Sequence, residues 1–339
     1  MAIAQRFPAL FMLALTFTWS WAFFFSGIFL VEEPQALKLA LFILGGFGPA
    51  VGGITTLRLQ AGERVGGTPP VLPFLVGAGL AAAALACFRF DLAGVTGDTG
   101  VLDFPADTPA WAYAVMAGPV LVSGWVYASV ASRNRRLRAW FYGLVPDGRT
   151  FVGALAVLLF LPMVTIGANL LADLLGQDYP APRYLVEDPV QWVPWMVVKL
   201  FTVFMLTGGN EEHGWRGVLQ PLMQRRMAPL WVALIIGVVW ELWHLPIVLG
   251  GIYGDGPWYL VTLSRMTAVI PFALLLSVIY NGSRGSIFLC VLMHACINTQ
   301  PGLFGGSPLA LPLGIGFVLL AVIAMKHWRR ERGYVPSMA

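Results

Sequence analysis

The chain alternates long apolar stretches with short polar ones, and many of the apolar stretches have the length of a membrane span. Crossing a hydrocarbon core as a helix takes about 20 predominantly apolar residues. Ten stretches approach that length: Phe7–Val31, Ala36–Leu57, Val71–Phe88, Trp111–Ala131, Phe151–Leu171, Trp192–Leu206, Leu230–Leu249, Trp258–Tyr280, Ser286–Thr299 and Leu309–Met325. The pattern predicts an all-α, polytopic transmembrane helical bundle of eight to ten spans, with ten preferred. The ninth stretch is short and fits a partial or tilted helix. The first run exceeds the roughly 7–15-residue core of a cleaved signal peptide, so it reads as the first span. Ala61–Pro70 and Gly94–Pro109 read as loops from their Gly, Pro and Asp content. The Gly45-Gly46-Phe47-Gly48-Pro49 string reads as close helix packing, where small residues let backbones approach. No internal repeat or low-complexity linker divides the chain.

Composition strengthens this picture. Hydrophobic residues make up 58% of the chain and charged residues 11%, against about 45–50% and about 25% in an average soluble domain. So much apolar side chain cannot hide inside a water-soluble core, and lipid has to be part of the solvent. The charges that remain are sorted by side. With a cytoplasmic N-terminus, 16 of the 21 Lys and Arg fall on the cytoplasmic side, among them Arg133, Arg135, Arg136, Arg138 and Arg149, then Lys326, Arg329, Arg330 and Arg332. The opposite loops hold acids: Glu32 and Glu33, Asp91, Asp98, Asp103 and Asp107, then Asp173, Asp178, Glu187 and Asp188. The positive-inside rule expects this asymmetry, and it predicts an integral membrane protein with both termini cytoplasmic. The pI near 9.1 is thereby a topology signal, and no nucleic acid partner is expected. Cys87, Cys290 and Cys296 sit in apolar stretches without paired spacing and read as buried, reduced thiols.

An ionisable side chain at membrane depth costs about 2.5–3.5 kcal/mol on insertion scales, so each one asks for a reason. Three stretches in the second half of the chain hold a group of them. In Asn210-Glu211-Glu212-His213-Gly214-Trp215-Arg216, Glu212 and Arg216 are (i, i+4) neighbours that should pair. Glu211 points about 100° away from Glu212, which leaves its carboxylate free for other work. Asn210 or Thr207 is placed to cap the helix start. In Trp240-Glu241-Leu242-Trp243-His244, His244 lies inside an apolar helix with Trp240 one turn earlier, and Glu241 is near enough to hydrogen-bond it. In His294-Ala295-Cys296-Ile297-Asn298, His294 and Asn298 share one face. Each stretch alone has an ordinary reading: a solvated acid pair, a histidine satisfied among aromatics, a hydrogen bond between helices. All three ordinary readings would have to hold together.

The ordered set E-E-x-x-x-R, aromatic-x-x-x-H and H-x-x-x-N on successive apolar helices resembles the CPBP family of intramembrane proteases, which includes the type II CAAX prenyl endopeptidases. Glu211, Glu212 and Arg216 carry the first motif, Trp240 and His244 the second, His294 and Asn298 the third. Trp240 stands where many members have Phe. The strings Gly214-Trp215-Arg216-Gly217 and Trp243-His244-Leu245-Pro246 also look like bacterial members, and Phe47-Gly48-Pro49 is a weaker likeness. The resemblance spans roughly residues 195–300. It divides the chain into N-terminal helices without a clear motif (1–190), a CPBP-like catalytic core (191–305), and a last helix with a basic tail (306–339).

The resemblance implies hydrolysis of a peptide bond in a membrane-associated or lipidated protein. Glu211 would be the general base on a water and His244 would help to hold that water. His294 and Asn298 would donate to the oxyanion, and Glu212 with Arg216 would support Glu211. A metal version of the same site would use Glu211, His244 and His294 as a two-His, one-carboxylate set for zinc or a similar divalent ion. No cofactor is preferred. The expected partners are the bilayer and a peptide or lipidated protein substrate. Two other functions compete: a non-catalytic immunity or membrane-assembly factor of the same fold, and a transporter. The paired broken helices and inverted repeats usual in transporters are not apparent in the sequence.

Overall fold

A computed structural model of the protein describes residues 2–30, 35–62, 70–89, 114–132, 135–182, 188–300 and 306–336. Expectations for Trp111, the loops at 63–69 and 94–109, Arg133, Glu32, Glu33, Asp91, Asp98, Asp103, Asp107 and Glu187 fall outside the described residues. Among the described residues the ordered elements are all helical, as the apolar pattern predicts. The helices are α1 (Pro8–Phe25), α2 (Gln35–Gly46), α3 (Gly48–Gln60), α4 (Val71–Arg89), α5 (Ala117–Ala128), α6 (Gly148–Leu174), α7 (Pro189–Met205), α8 (Pro229–Trp243), α9 (Trp258–Gly282), α10 (Ile287–Thr299) and α11 (Ala310–Ala324). Between α7 and α8 lies a segment of short helical turns running from Gly209 to Gln224.

Each of the ten apolar stretches contains helix, but the lengths differ from an even set of spans. Among the described residues four helices are long and apolar enough to cross a membrane: Pro8–Leu30, Thr150–Leu174, Trp192–Gln224 and Trp258–Gly282. A fifth arises if the bent pair Leu37–Gly46 and Gly48–Gln60 is one span. Val71–Cys87, Ala114–Ala128, Pro229–Trp243, Ile287–Thr299 and Ala310–Ala324 are shorter apolar helices. The second expected stretch is broken, not continuous, and bends by 45° at Phe47. Pro49 causes the break, because it has no N–H for the preceding turn and is tolerated only in the first turn of α3. The sixth stretch ends as expected, with α7 stopping at Met205, and after a turn at 206–208 short helical turns carry the Glu-Glu pair and run on to Gln224.

Helix starts follow local chemistry. Proline opens α1, α7 and α8. Asp188 caps α7 by accepting from the backbone N–H of Val190 at 2.9 Å, and Ser286 caps α10 by accepting from that of Leu289 at 3.3 Å. The outward sides are largely apolar: Phe151 is 77% exposed and Leu174 84%. In water that surface would be an aggregation site, whereas in hydrocarbon it is solvated.

The second half of the bundle positions the motif residues. α8 packs along α9, α7 along α10, and α10 also against α6. α3 presses onto the Gly209–Gln224 segment so closely that a Cβ on Gly214 would overlap the backbone of Pro49. This contact gives a physical basis to the Gly-rich string around Phe47, where small residues let backbones touch.

Candidate active site

The Glu-Glu motif sits just after a backbone turn. α7 ends at Met205, and Gly208 takes φ +99°, a conformation that other residues rarely adopt. The turn is closed by two bonds: the Gly208 N–H donates to Asn210 Oδ1 at 3.0 Å, and the Glu211 N–H donates to the Gly208 carbonyl at 2.9 Å. Asn210 therefore ties down the glycine turn, and neither Asn210 nor Thr207 caps the helix start as the sequence suggested. From Gly209 the chain winds through a tight turn, one helical turn, and a π-helical stretch from Trp215 to Leu219. Widened turns of this kind recur at functional sites.

Glu212 and Arg216 pair as their spacing predicts. Arg216 Nη1 lies 2.9 Å from Glu212 Oε2, and both side chains are fully buried. The sequence spacing did not reveal the second partner of Glu212: its Oε1 accepts from His294 Nδ1 at 2.8 Å. Glu212 therefore joins two motifs, a buried carboxylate between a guanidinium and an imidazole. Arg216 also lies over the ring of Trp240, with its Cζ 4.8 Å from the centroid.

Glu211, 6% exposed, points to the other side as predicted, but it is not without a partner. Trp240 Nε1 donates to its Oε2 at 2.7 Å. His244 Nδ1 lies 2.9 Å from the Trp240 carbonyl oxygen, which can only accept, so Nδ1 carries the proton and Nε2 keeps a lone pair in the neutral ring. Glu241, expected near His244, instead accepts from Arg265 Nε at 2.8 Å. The ring of His294 packs edge-on to Trp240 and to Phe272, each at 5.3 Å between centroids. Asn298, one turn along α10, is exposed to the same space. A Cβ built on Gly208 would lie 2.7 Å from Asn298 Nδ2 and 2.8 Å from His294 Nε2, so these two nitrogens converge on one point.

All these groups open on a cavity of about 600 Å³ whose wall includes Glu211, Trp240, His244, His294 and Asn298. Tyr253 and Arg265 belong to the same wall, and most of the remainder is apolar, for example Phe42, Phe160, Leu275, Ile315 and Val318. The three motifs thus meet in one pocket. Glu212 and Arg216 stand behind it, in contact with His294 and Trp240. Sequence reasoning missed Gly208, Tyr253 and Arg265. Arg265 was within reach, because the rule of costly charges, applied to the eighth apolar stretch, singles it out.

The zinc set is a poor fit to these side chains. Among the described residues no three His, Cys, Asp or Glu side chains are grouped so as to hold a metal ion. Glu211 is engaged by Trp240, whereas His294, with Nδ1 on Glu212, keeps Nε2 toward the cavity. The three cysteines are free, and Cys290 and Cys296 are buried.

Comparison with known proteins gives an independent line. A family model described as type II CAAX prenyl endopeptidase Rce1-like matches residues 193–300, a range that contains Glu211, Glu212, Arg216, His244, His294 and Asn298. CAAX prenyl protease 2 of Methanococcus maripaludis is 24% identical over 136 residues, which are 38% of this chain and 49% of that protein. The chain thus spans about half the length of the curated relative it matches. Both similarities support the CPBP-type resemblance first drawn from the motifs.

Proposed function

We propose that this chain is an intramembrane endopeptidase of CAAX type, hydrolysing a peptide bond in a lipidated or otherwise membrane-associated substrate. The observation that carries the proposal is the meeting of Glu211, His244, His294 and Asn298 on one largely apolar cavity. The wall combines acceptors for a water with donors for an oxyanion, and its apolar remainder suits a lipid-bearing chain.

The chemistry follows from the hydrogen-bond roles. A water between Glu211 and His244 donates one hydrogen bond to the Glu211 carboxylate and the other to the His244 Nε2 lone pair. Its own lone pair is left to attack the carbonyl carbon. Glu211 takes the proton as the C–O bond forms, and passes it to the nitrogen of the leaving amine as the C–N bond breaks. The negative charge gathers on the former carbonyl oxygen, opposite Asn298 Nδ2 and His294 Nε2. One such donor is worth about 2.7–4 kcal/mol in a well-studied hydrolase. With Nδ1 already donating to Glu212, the second nitrogen of His294 donates only when the ring carries both protons. Glu212 supplies the counter-charge for that state, and Arg216 holds Glu212.

The charge asymmetry of the sequence supports an orientation with both termini in the cytoplasm, which places the Glu-Glu end of the cavity nearer that side. The test uses purified full-length protein in lipid nanodiscs and a quenched fluorescent peptide with an S-farnesyl cysteine near its C-terminus. Wild type should cleave it, and Glu211→Gln should lose at least about 100-fold in kcat while keeping its melting temperature. Equal turnover by the two proteins would refute the reading. Repeating the assay with a chelator separates a metal-independent reaction from a metal-dependent one.

A further inference from the structure

Arg265 is a charge in the cavity wall that the reaction above does not use. It lies on α9, well inside an apolar helix, with its side chain 22% exposed. Glu241 on α8, fully buried, takes its Nε at 2.8 Å. Such a pair is weak evidence for stability, because apolar residues of the same volume often do as well or better. The pair therefore asks for a purpose besides holding α8 to α9. The guanidinium has five N–H donors, of which Nε is engaged by Glu241 and four belong to the terminal nitrogens. Tyr253 fixes its plane, with Cζ 3.5 Å from the ring centroid. A guanidinium of set orientation in a largely apolar cavity is the arrangement that recognises a carboxylate through two parallel hydrogen bonds.

The position fits the peptide chemistry. The Tyr253 ring neighbours both the guanidinium and the His244 ring, whose centroid is 5.9 Å away. These two steps bound the separation between Arg265 and the water-holding histidine. An extended chain covers about 3.3–3.6 Å per residue, so that bound corresponds to on the order of two or three residues. A carboxylate held by Arg265 would thus lie no more than about two or three residues from the scissile bond, within reach of the end of a short C-terminal tail.

Building on the peptidase reading, we propose that Arg265 is a specificity-determining residue that binds the free C-terminal carboxylate of the substrate, with Glu241 and Tyr253 as the groups that position it. The site then selects chain ends over internal segments of a polypeptide.

The test compares one S-farnesylated peptide as the free acid and as its C-terminal amide. In full-length wild type, kcat/KM for the acid should exceed that for the amide at least tenfold, mainly through KM. In Arg265→Gln the acid-to-amide ratio should fall to about 1, and Arg265→Lys should recover part of it. Equal use of both peptides by wild type, or a loss in Arg265→Gln that leaves the ratio intact, overturns the proposal. The second result would make Arg265 structural. Binding of the two peptides to Glu211→Gln, measured by fluorescence anisotropy, repeats the comparison without turnover. The acid should bind at least tenfold more tightly, and equal binding overturns the proposal. If wild type cleaves neither peptide but the binding preference holds and disappears with Arg265→Gln, the peptidase reading fails while the carboxylate site stands.

Discussion

The indole N–H of Trp240 donates to Oε2 of Glu211 across 2.7 Å, and the backbone carbonyl of the same tryptophan receives Nδ1 of His244 at 2.9 Å. One residue thereby sets both groups that would hold the attacking water. Trp240→Phe keeps an aromatic ring against His294 and Arg216 and removes the donor together with part of the buried indole volume. A hydrogen bond to a charged group contributes about 1.5–3 kcal/mol, and water from the cavity can replace part of it, so a loss of about tenfold in kcat is expected. KM should barely change, and the melting temperature should fall by no more than a few degrees. Steady-state kinetics on the farnesylated peptide reads both parameters. A variant as fast as wild type would show that the indole donor has no part in the reaction.

Glu211 and Glu212 are adjacent in sequence but should fail in different ways. Glu212→Gln leaves Arg216 buried without its carboxylate and frees His294 from its anchor. Removing one partner of a buried ion pair costs about 3–5 kcal/mol. Thermal unfolding in detergent should register this as a fall of at least about 5 °C in Tm, together with lost activity. Glu211→Gln should lose activity with Tm unchanged. If Glu212→Gln melts like wild type, the buried carboxylate is not the junction between the first and third motifs.

Gly208 faces the point where Asn298 Nδ2 and His294 Nε2 converge. Gly208→Ala would place a methyl group 2.7 Å and 2.8 Å from these nitrogens, at φ +99°. Backbone strain of that kind costs on the order of 1–3 kcal/mol, and the methyl group would occupy the space given to the oxyanion. The expected outcome is a modest fall in Tm with a loss of at least about 100-fold in kcat. Retention of full turnover would mean that the oxyanion lies elsewhere.

Much of the site was legible in the sequence, because lipid makes polar side chains expensive. An apolar helix that carries His294 and Asn298 advertises them, and a spacing of four pairs Glu212 with Arg216 without any structure. The pairing of Glu212 with His294 was not legible, since 82 residues separate them and only the packing of α10 on the motif segment brings them together. The same holds for Glu241, whose partner Arg265 is 24 residues away on the next long helix, while the nearer His244 is turned to a backbone carbonyl. The bend at Phe47 was hidden for a different reason. Hydropathy averages over a proline that the backbone cannot ignore, so one apolar stretch became two helices. Which of the ten apolar stretches are full spans was not legible either, because apolar length alone does not say whether a helix crosses the bilayer or packs inside the bundle.

The C-terminal tail is tied to the segment that carries the Glu-Glu motif, and this connection can be cut without touching the cavity. Gln224 Nε2 donates to the Tyr334 carbonyl at 2.9 Å, the Tyr334 N–H donates to Asn281 Oδ1 at 2.7 Å, and Asn281 Nδ2 donates to Gln224 Oε1 at 3.0 Å. Gln224→Ala leaves the Tyr334 carbonyl and the Asn281 amide without that partner, in a place where water has little access. Each unsatisfied buried group costs about 1–3 kcal/mol, which should lower Tm by a few degrees. Release of the tail should also expose the bonds after Arg330 and Arg332 to trypsin, which cleaves only chain that can leave the protein surface. Limited proteolysis followed by mass spectrometry of the C-terminal fragment should show faster loss of residues 333–339 in Gln224→Ala than in wild type. Identical cleavage rates would mean that other contacts hold the tail, such as that between Arg330 and the Arg225 carbonyl.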